Sequence, residues 1–255
     1  FHCAFGSIPR ARVLQALARS RERMSHFILK DHESKNALEE WLRGAMASYA
    51  KRSGLKWGDE DSLCEHFFAS LGGRLTTPNG TFDLRSYKLR GRGPRPPEKA
   101  LGADGIGIVN IQTENTDLSG YFLFQAKKSD SSTSSLRGAK SQCGIMLTHS
   151  AASYLLVLTR SDAKVVGAMA VDGCKRRDPS LTQVPFAGFP RFIVHQLLQG
   201  VMLEPLDTIH TRLSPELRTE VKHILVVTGG SNREIEEAQM SVDAVLADMD
   251  FDIEP

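Results

Sequence analysis

Helix-like and strand-like segments alternate through the middle of the chain, and their order constrains the fold more than any other feature. Apolar residues at helical spacing between Asp59 and Leu71 predict a helix that ends at Gly72-Gly73. The segments after it read in turn as strands at 81–89, 103–111 and 121–127, a helix at 136–149, and strands at 153–159 and 165–171. We expect a mixed α/β sandwich in which the first three strands form a β-meander.

Further segments flank this middle part on both sides. Helical periodicity predicts helices at 11–29 and 34–49 before it and at 192–203, 215–221 and 233–249 after it, with a strand-like run at 223–227. We therefore expect a helical segment at 1–58, a core at 59–175, and a helical C-terminal extension with a short strand at 176–255.

The composition is that of a folded protein without an overall charge field. The 255 residues are 41% hydrophobic and 24% charged, with a net charge of +2. The apolar runs are too short to cross a bilayer, so we expect a cytoplasmic protein with no membrane partner. Positive charge is concentrated in a Gly- and Pro-rich segment that contains Arg90, Arg92, Arg95 and Lys99. This segment is either a solvated loop or an element that contacts phosphates.

Three segments carry residues suited to phosphodiester hydrolysis. Glu65 lies on the predicted helix, Asp104 begins a predicted strand, and Gln125-Ala126-Lys127 end the next strand. Because alternate residues of a strand share a face, Gln125 and Lys127 point the same way. The Asp104 carboxylate, the Gln125 side-chain oxygen and the Ala126 carbonyl are hard oxygen ligands, which suit Mg²⁺ or Mn²⁺. Lys127 would orient water or stabilise the transition state, and Glu65 would bind the ion directly or through water.

Each residue also has an ordinary interpretation when it is taken alone. Asp-Gly is a common turn dipeptide, Glu65 could be a solvated helix residue, and Lys127-Lys128 could simply end a strand that faces water. Gln142, on the following helix, faces either the site or solvent. The order of helix acid, strand Asp and QxK strand end favours the joint interpretation.

The segments GADGIGIV (102–109) and YFLFQAKKS (121–129) together resemble the PD-(D/E)XK nuclease motif, particularly that of Mrr-type restriction endonucleases, in which Gln replaces the usual acid. Glu65 is similar to the acid on the first helix of that superfamily. The resemblance covers about residues 60–175 and implies a restriction-endonuclease-like mixed sheet flanked by helices, with divalent-cation dependence and DNA cleavage. It makes Glu65, Asp104, Gln125 and Lys127 the active positions. The candidate nucleic-acid contacts are Arg90, Arg92, Arg95, Lys99, Lys128 and Gln142.

The basic segment running into GADG and FQAKK also resembles nuclease effectors of bacterial anti-phage defence systems. In that case a sensor or ATPase subunit, or homo-oligomerisation, would control the enzyme. Gln125 leaves the metal site one negative charge short, which favours conditional cleavage. Two alternatives stay open: a catalytically weak or inactive nucleic-acid-binding or scaffolding subunit, and an interaction protein that docks on a larger ATPase or sensor.

Overall fold

A nine-stranded mixed β-sheet forms the centre of the computed structural model, which describes residues 32–55, 60–89, 100–113, 116–131, 134–199, 203–251 and 253. Helices pack on both faces of the sheet, so the predicted α/β class is confirmed. The strands are β1 (Gly73–Thr77), β2 (Gly80–Lys88), β3 (Gly105–Thr113), β4 (Thr116–Lys128), β5 (Ser153–Leu158), β6 (Ala163–Gly167), β7 (Ala187–Gly188), β8 (Glu204–Pro205) and β9 (His223–Gly230). The helices in the described ranges are α1 (His32–Leu55), α2 (Glu60–Leu71), α3 (Ala139–His149), α4 (Ala168–Asp172), α5 (Phe189–His195), α6 (Ile209–Arg212), α7 (Pro215–Arg218) and α8 (Asn232–Asp248).

The sheet order is β1-β2-β9-β3-β4-β5-β6-β7, and β8 pairs with the first half of β4. The strand β9 pairs antiparallel with β2 and parallel with β3, so it separates two strands that follow one another in the chain. The predicted β-meander is therefore wrong at its first step. A parallel neighbour can arrive from a distant part of the chain, and the local pattern of β2 and β3 does not report it.

Residues 176–255 do not form a separate extension. They contribute β9 to the interior of the sheet, and α8 packs on β3 and β9. The predicted boundary at residue 175 therefore divides a single core. The reason is again the parallel pairing of β9 with β3, which joins the end of the chain to its middle.

Two hydrophobic clusters lie on the two faces of the sheet. The first face carries Phe122, Phe124 and Ala126 of β4 beneath α1, α2 and α5. The second face carries Tyr121 and Leu123 of the same strand beneath α3, α4 and α8. This alternation assigns even-numbered residues at the end of β4 to the first face and odd-numbered residues to the second.

The glycines of GADGIGIV make room for aromatic rings. Gly105 and Gly107 lie opposite Phe124 and Phe122 in the antiparallel β3–β4 pair. A Cβ atom added at Gly107 would lie 2.0 Å from Cζ of Phe122, and one at Gly105 would lie 2.1 Å from Cζ of Phe124. The rings occupy the space above the glycines, so the Gly-rich pattern is a packing requirement of this hairpin.

Several predicted elements differ in their bounds. The strand predicted at 165–171 ends at Gly167 and continues as α4. The helix predicted from residue 136 begins at Ala139, because Gly138 has a φ of 71°, which lies outside the helical region. The helix predicted at 192–203 is shorter, with α5 ending at His195 and a 3₁₀ turn at Leu197–Gln199. The helix predicted at 11–29 lies outside the described residues.

Candidate active site at the ends of β3, β4 and β9

Asp104 lies where three strands meet. Its backbone N–H donates to the carbonyl of Phe124 at 2.9 Å, just before β3 begins. Its own carbonyl accepts the N–H groups of Lys222 and His223, at 2.8 and 3.2 Å, where β9 begins. The Asp104 side chain is buried, with 4% relative exposure. Backbone bonds to two neighbouring strands therefore fix the position of the Asp104 backbone.

The carboxylate of Asp104 and the side chain of Gln125 contact each other directly. The Gln125 amide nitrogen donates to Asp104 Oδ2 and also to the carbonyl oxygen of Ala126, the latter at 2.9 Å. The backbone N–H of Ala126 donates to the same Oδ2 at 3.0 Å. Gln125 is fully buried. Neutral donors thus satisfy a buried carboxylate that has lost its water.

These contacts bring together the oxygens that the sequence proposes as metal ligands. The Gln125 nitrogen lies within hydrogen-bonding reach of two of them, the Asp104 carboxylate and the Ala126 carbonyl. Turning the Gln125 amide over would place its own oxygen beside them, and amide orientation follows the hydrogen-bonding partners that are present. One carboxylate and neutral oxygens suit Mg²⁺, whose remaining positions are filled by water and phosphate. The residues therefore fit a hydrated ion.

A carboxylate-rich metal cage is not found in the part of the chain that the structure describes. No group of three or more His, Cys, Asp or Glu side chains there is arranged to hold a metal ion. Any ion at this site would depend on Asp104 as its buried carboxylate and on neutral oxygens from Gln125 and Ala126. This limits the affinity that the protein alone can supply.

Because Tyr121 and Leu123 lie on the second face, the alternation of β4 assigns Gln125 and Lys127 to that face as well. Its side chain is largely buried, with 14% relative exposure, and its Nζ lies 3.7 Å from Oε1 of Glu60. The other oxygen of Glu60 accepts the backbone N–H of Lys128 at 3.2 Å. The Glu60 carboxylate therefore contacts both the side chain of Lys127 and the backbone of Lys128 at the end of β4.

The structure does not bring Glu65 to the other three predicted residues. Its Oε1 forms an ion pair with Nζ of Lys88 at 2.8 Å, and both side chains are about half exposed, at 46%. The acid of α2 that contacts the end of β4 is instead Glu60, the first residue of the helix. The helix meets the strand ends at its first turn, and Glu65 is more than one turn further along.

Sequence reasoning missed Glu60, although a signal was present. The first turn of α2 contains two acids, Glu60 and Asp61. Acids in the first turn of a helix are explained by their favourable interaction with the helix dipole. A further role for such an acid at a site therefore does not stand out in the sequence. Asp61 also has a partner at the site, because Nζ of Lys222 lies 2.8 Å from its Oδ1.

The carboxylates around this site act on the same buried thiol. Burial raises the pKa of Cys64 well above its ordinary value, and the charges of Asp104, Glu60 and Asp61 raise it further. Burial alone would lower the pKa of Lys222, but the hydrogen bond and charge of Asp61 outweigh it and raise the pKa. Lys222 therefore stays charged beside Asp104, as a second cation near the strand ends.

The predicted nucleic-acid contacts are only partly within the described residues. Lys128 lies 3.8 Å from the carboxylate of Asp130, and the side-chain oxygen of Gln142 is buried with no hydrogen-bond partner among the described residues. The four basic residues predicted as phosphate contacts at 90–99 lie outside them.

Both described flanks of that basic segment lie next to the site. The N–H of Leu89 donates to the carbonyl of Lys222 at 2.9 Å. The N–H groups of Ala100 and Leu101 each donate to the carboxylate of Glu220 at 2.8 Å. Residues 220–222 lead directly into β9, where Lys222 binds Asp104. Leu89 and Ala100, the described residues on either side of the segment, thus lie beside the candidate site.

Comparisons with protein-family models, with curated proteins and with solved structures find no significant match to this chain. The resemblance to PD-(D/E)XK nucleases therefore stays a prediction. No helix within the described ranges is both long and apolar enough to cross a membrane.

Proposed function

We propose that the protein is a Mg²⁺-dependent DNA endonuclease that hydrolyses phosphodiester bonds, and that Mn²⁺ can replace Mg²⁺. The single observation that carries this proposal is the meeting of Asp104, Gln125 and the Ala126 carbonyl at one point, with Lys127 next on the same face. Oxygen ligands followed by a cation, at the ends of adjacent strands, suit chemistry on a phosphate.

In hydrolysis a water oxygen bonds to phosphorus, the bond from phosphorus to a sugar oxygen breaks, and that oxygen leaves as a hydroxyl. A bound Mg²⁺ would supply Lewis-acid stabilisation of the phosphate oxygens. Asp104, Gln125 and the Ala126 carbonyl would hold the ion. The Lys127 ammonium would donate hydrogen bonds to a phosphate oxygen as negative charge develops there, or orient the attacking water.

Glu60 acts on this chemistry through Lys127. An opposite charge 3.7 Å from the Lys127 nitrogen attracts the ammonium and limits where it can lie. Because Gln125 is neutral, the protein contributes one buried carboxylate to the ion. DNA phosphate would add the missing anionic oxygen, so metal and DNA should bind cooperatively.

We further propose a biological role as the nuclease effector of an anti-phage defence complex, controlled by a sensor or ATPase partner or by self-assembly. This role rests on the resemblance of the basic segment and the two motifs described above. A weak metal site suits an enzyme that is inactive until its substrate or partner is assembled on it.

A second candidate function is a nucleic-acid-binding or scaffolding subunit without catalysis. The observation in its favour is that the Gln125 amide already satisfies both the Asp104 carboxylate and the Ala126 carbonyl. A site closed in this way is stable without a metal ion.

Incubation of the purified protein with supercoiled plasmid, in Mg²⁺, Mn²⁺ or EDTA, tests the proposal. We expect nicking or linearisation in either metal, none in EDTA, and a loss of at least about 100-fold in Asp104→Asn. Asp83→Asn is a matched control, because Asp83 is a buried acid on β2 whose carboxylate binds Arg74 and Arg85 instead. Metal-independent cutting, or full activity in Asp104→Asn, contradicts the proposal. DNA binding without cleavage in either metal supports the second candidate.

A further inference from the structure

Four hydrogen bonds join the loop before α3, and the first turn of α3 itself, to the loop after α4. The N–H of Leu136 donates to the carbonyl of Pro179 at 2.9 Å, and that of Gly138 donates to the carboxylate of Asp178 at 2.7 Å. Nζ of Lys140 donates to the carbonyl of Cys174 at 2.6 Å, and Ser135 Oγ donates to the Asp178 carbonyl at 3.4 Å. These bonds therefore hold the two loops, residues 134–138 and 173–180, against each other.

Basic side chains project from both loops between these bonds. Arg137 lies between the bonded residues 136 and 138, and it is exposed. Lys175, Arg176 and Arg177 lie between the bonded residues 174 and 178, and all three are exposed. We call these four residues the basic edge. None of the four forms an ion pair or a hydrogen bond with another described side chain, and the one nearby carboxylate on their own loops, Asp178, is bonded to Gly138.

The basic edge lies at the same end of the sheet as the candidate active site. Burial and the charge of Asp172 raise the pKa of the Cys143 thiol to about 12, and the charge of Lys127 opposes this rise. The helix α3 connects the end of β4 to the start of the parallel strand β5, so its first turn lies at the end of the sheet where Lys127 lies. Lys140 lies one helical turn before Cys143 on α3 and bonds to Cys174, the residue next to Lys175. The basic edge is bonded to that first turn, so it lies at the same end of the sheet as Lys127.

We propose that the basic edge binds the sugar-phosphate backbone of DNA beside the phosphodiester that is cut. This inference rests on the proposed function and names the surface that holds its substrate. Four cations that have no ion-pair partner among the described residues are best neutralised by a polyanion, and Arg suits phosphate geometry in particular. Within the described residues the exposed large hydrophobic side chains are Met240 and Ile253, both on other parts of the chain. The surface therefore lacks the apolar anchors of a protein interface or a membrane-inserting face.

A pair of double variants with equal net charge tests the surface. Each replacement of Arg by Glu lowers the net charge by two, so Arg176→Glu/Arg177→Glu and Arg43→Glu/Arg233→Glu both change it from +2 to −2. Arg43 lies on α1, over the first face, and Arg233 is the second residue of α8, which follows the end of β9 farther from the candidate site. Both control residues are exposed and pair with a Glu one helical turn away. General electrostatic repulsion is therefore the same in the two variants.

The measurement is fluorescence anisotropy of labelled duplex and single-stranded DNA in EDTA, over a range of KCl concentrations. We expect Arg176→Glu/Arg177→Glu to weaken binding at least about tenfold and to lower the slope of log affinity against log salt by about two. The control pair should change affinity less than about threefold. Equal losses in the two variants would overturn the inference, and so would binding to anionic lipid vesicles but not to DNA.

The variant Asp178→Ala tests whether DNA affinity depends on how the charges of the basic edge are arranged or only on the net charge. This variant removes a negative charge, which by itself would strengthen DNA binding. It also removes the bond to Gly138 that holds the two loops together. We expect weaker binding than in the wild type, and stronger binding would show that the arrangement of the basic edge is irrelevant. Since these measurements use no metal and no cleavage, a failure here leaves the nuclease proposal standing. In a protein that binds DNA without cutting it, the expected losses would keep the basic edge as a DNA-binding surface and would refute only its place beside a cleaved bond.

Discussion

The side-chain amide of Gln125 donates a hydrogen bond to the carboxylate of Asp104, and both side chains are buried. The contact joins β4 to the residue just before β3. It leaves the site with one negative charge where a second carboxylate at position 125 would give two. The charge of the side chain at position 125 should therefore control both the stability of the metal-free site and the affinity of the site for a cation.

Replacement of Gln125 by Glu should make the protein's stability depend on divalent ions. Two adjacent buried carboxylates repel, so without metal we expect the free energy of unfolding to fall by about 2–4 kcal/mol. Mg²⁺ should restore more stability to Gln125→Glu than to the wild type, because the variant offers two anionic ligands. Urea unfolding with EDTA and with Mg²⁺ measures both effects.

Gln239→Glu is a matched control for that experiment. The Gln239 amide donates to the carboxylate of Asp243 at 2.7 Å on α8, so this variant also places a Glu beside an Asp. It should show no comparable Mg²⁺-dependent gain. An equal gain in the two variants would mean that the Asp104 site has no particular affinity for the ion.

Glu60 and Glu65 should differ in their effects on cleavage, although both lie on α2. Glu60→Gln removes the charge beside Lys127 and should lower the cleavage rate by about 10- to 100-fold. Glu65→Gln breaks only an exposed pair with Lys88, so rate and stability should change little, by less than about 1 kcal/mol. Rates at saturating DNA decide the question, and the reverse ranking would restore Glu65 to the site.

Gly107 should tolerate no side chain. An added methyl group would collide with the ring of Phe122, and we expect Gly107→Ala to lower the free energy of unfolding by about 2–3 kcal/mol. Gly44→Ala is the control, because nothing lies within 4 Å of a Cβ added at this exposed position on α1. There the substitution should stabilise the protein by about 0.5–1 kcal/mol. Thermal or urea unfolding measures both changes.

The contribution of Asp162 to the free energy of unfolding should be less favourable at neutral pH than in acid. Burial raises the pKa of its carboxyl, although the N–H of Ala163 and the charge of Lys164 oppose the rise. The folded state therefore holds this proton more tightly than the unfolded state, and stability is lost as pH rises from the unfolded pKa through the folded one. Asp162→Asn should be more stable than the wild type at pH 7, because Asn can still accept the Ala163 bond without a charge. The gain should disappear below the unfolded pKa, and a gain that is constant with pH would assign it to another cause.

Local patterns predicted the parts of this molecule that depend on neighbours in the chain. The apolar spacing of α2 and the alternation of β4 are local, and so is the hairpin that brings Asp104 to Gln125. The antiparallel register follows once β3 and β4 pair directly. This is why the central contact of the site was within reach of sequence reasoning.

The remaining features depend on distant parts of the chain. Lys222 reaches Asp104 because β9 pairs parallel with β3, and no local pattern specifies that partner. Glu60 and Glu65 are both acids on one helix, and the choice between them depends on where α2 begins relative to the strand ends. Periodicity gives the apolar face of a helix but not its position along its own axis.

The rate of Mg²⁺-dependent plasmid cleavage by Lys127→Ala tests the central claim most directly. Lys51→Ala serves as the control, because Lys51 is an exposed lysine on α1. With both variants folded and saturated with DNA, Lys127→Ala should cut at least about 100-fold more slowly than the wild type, and Lys51→Ala should cut at the wild-type rate. Undiminished cutting by Lys127→Ala would contradict the assignment of catalysis to this site.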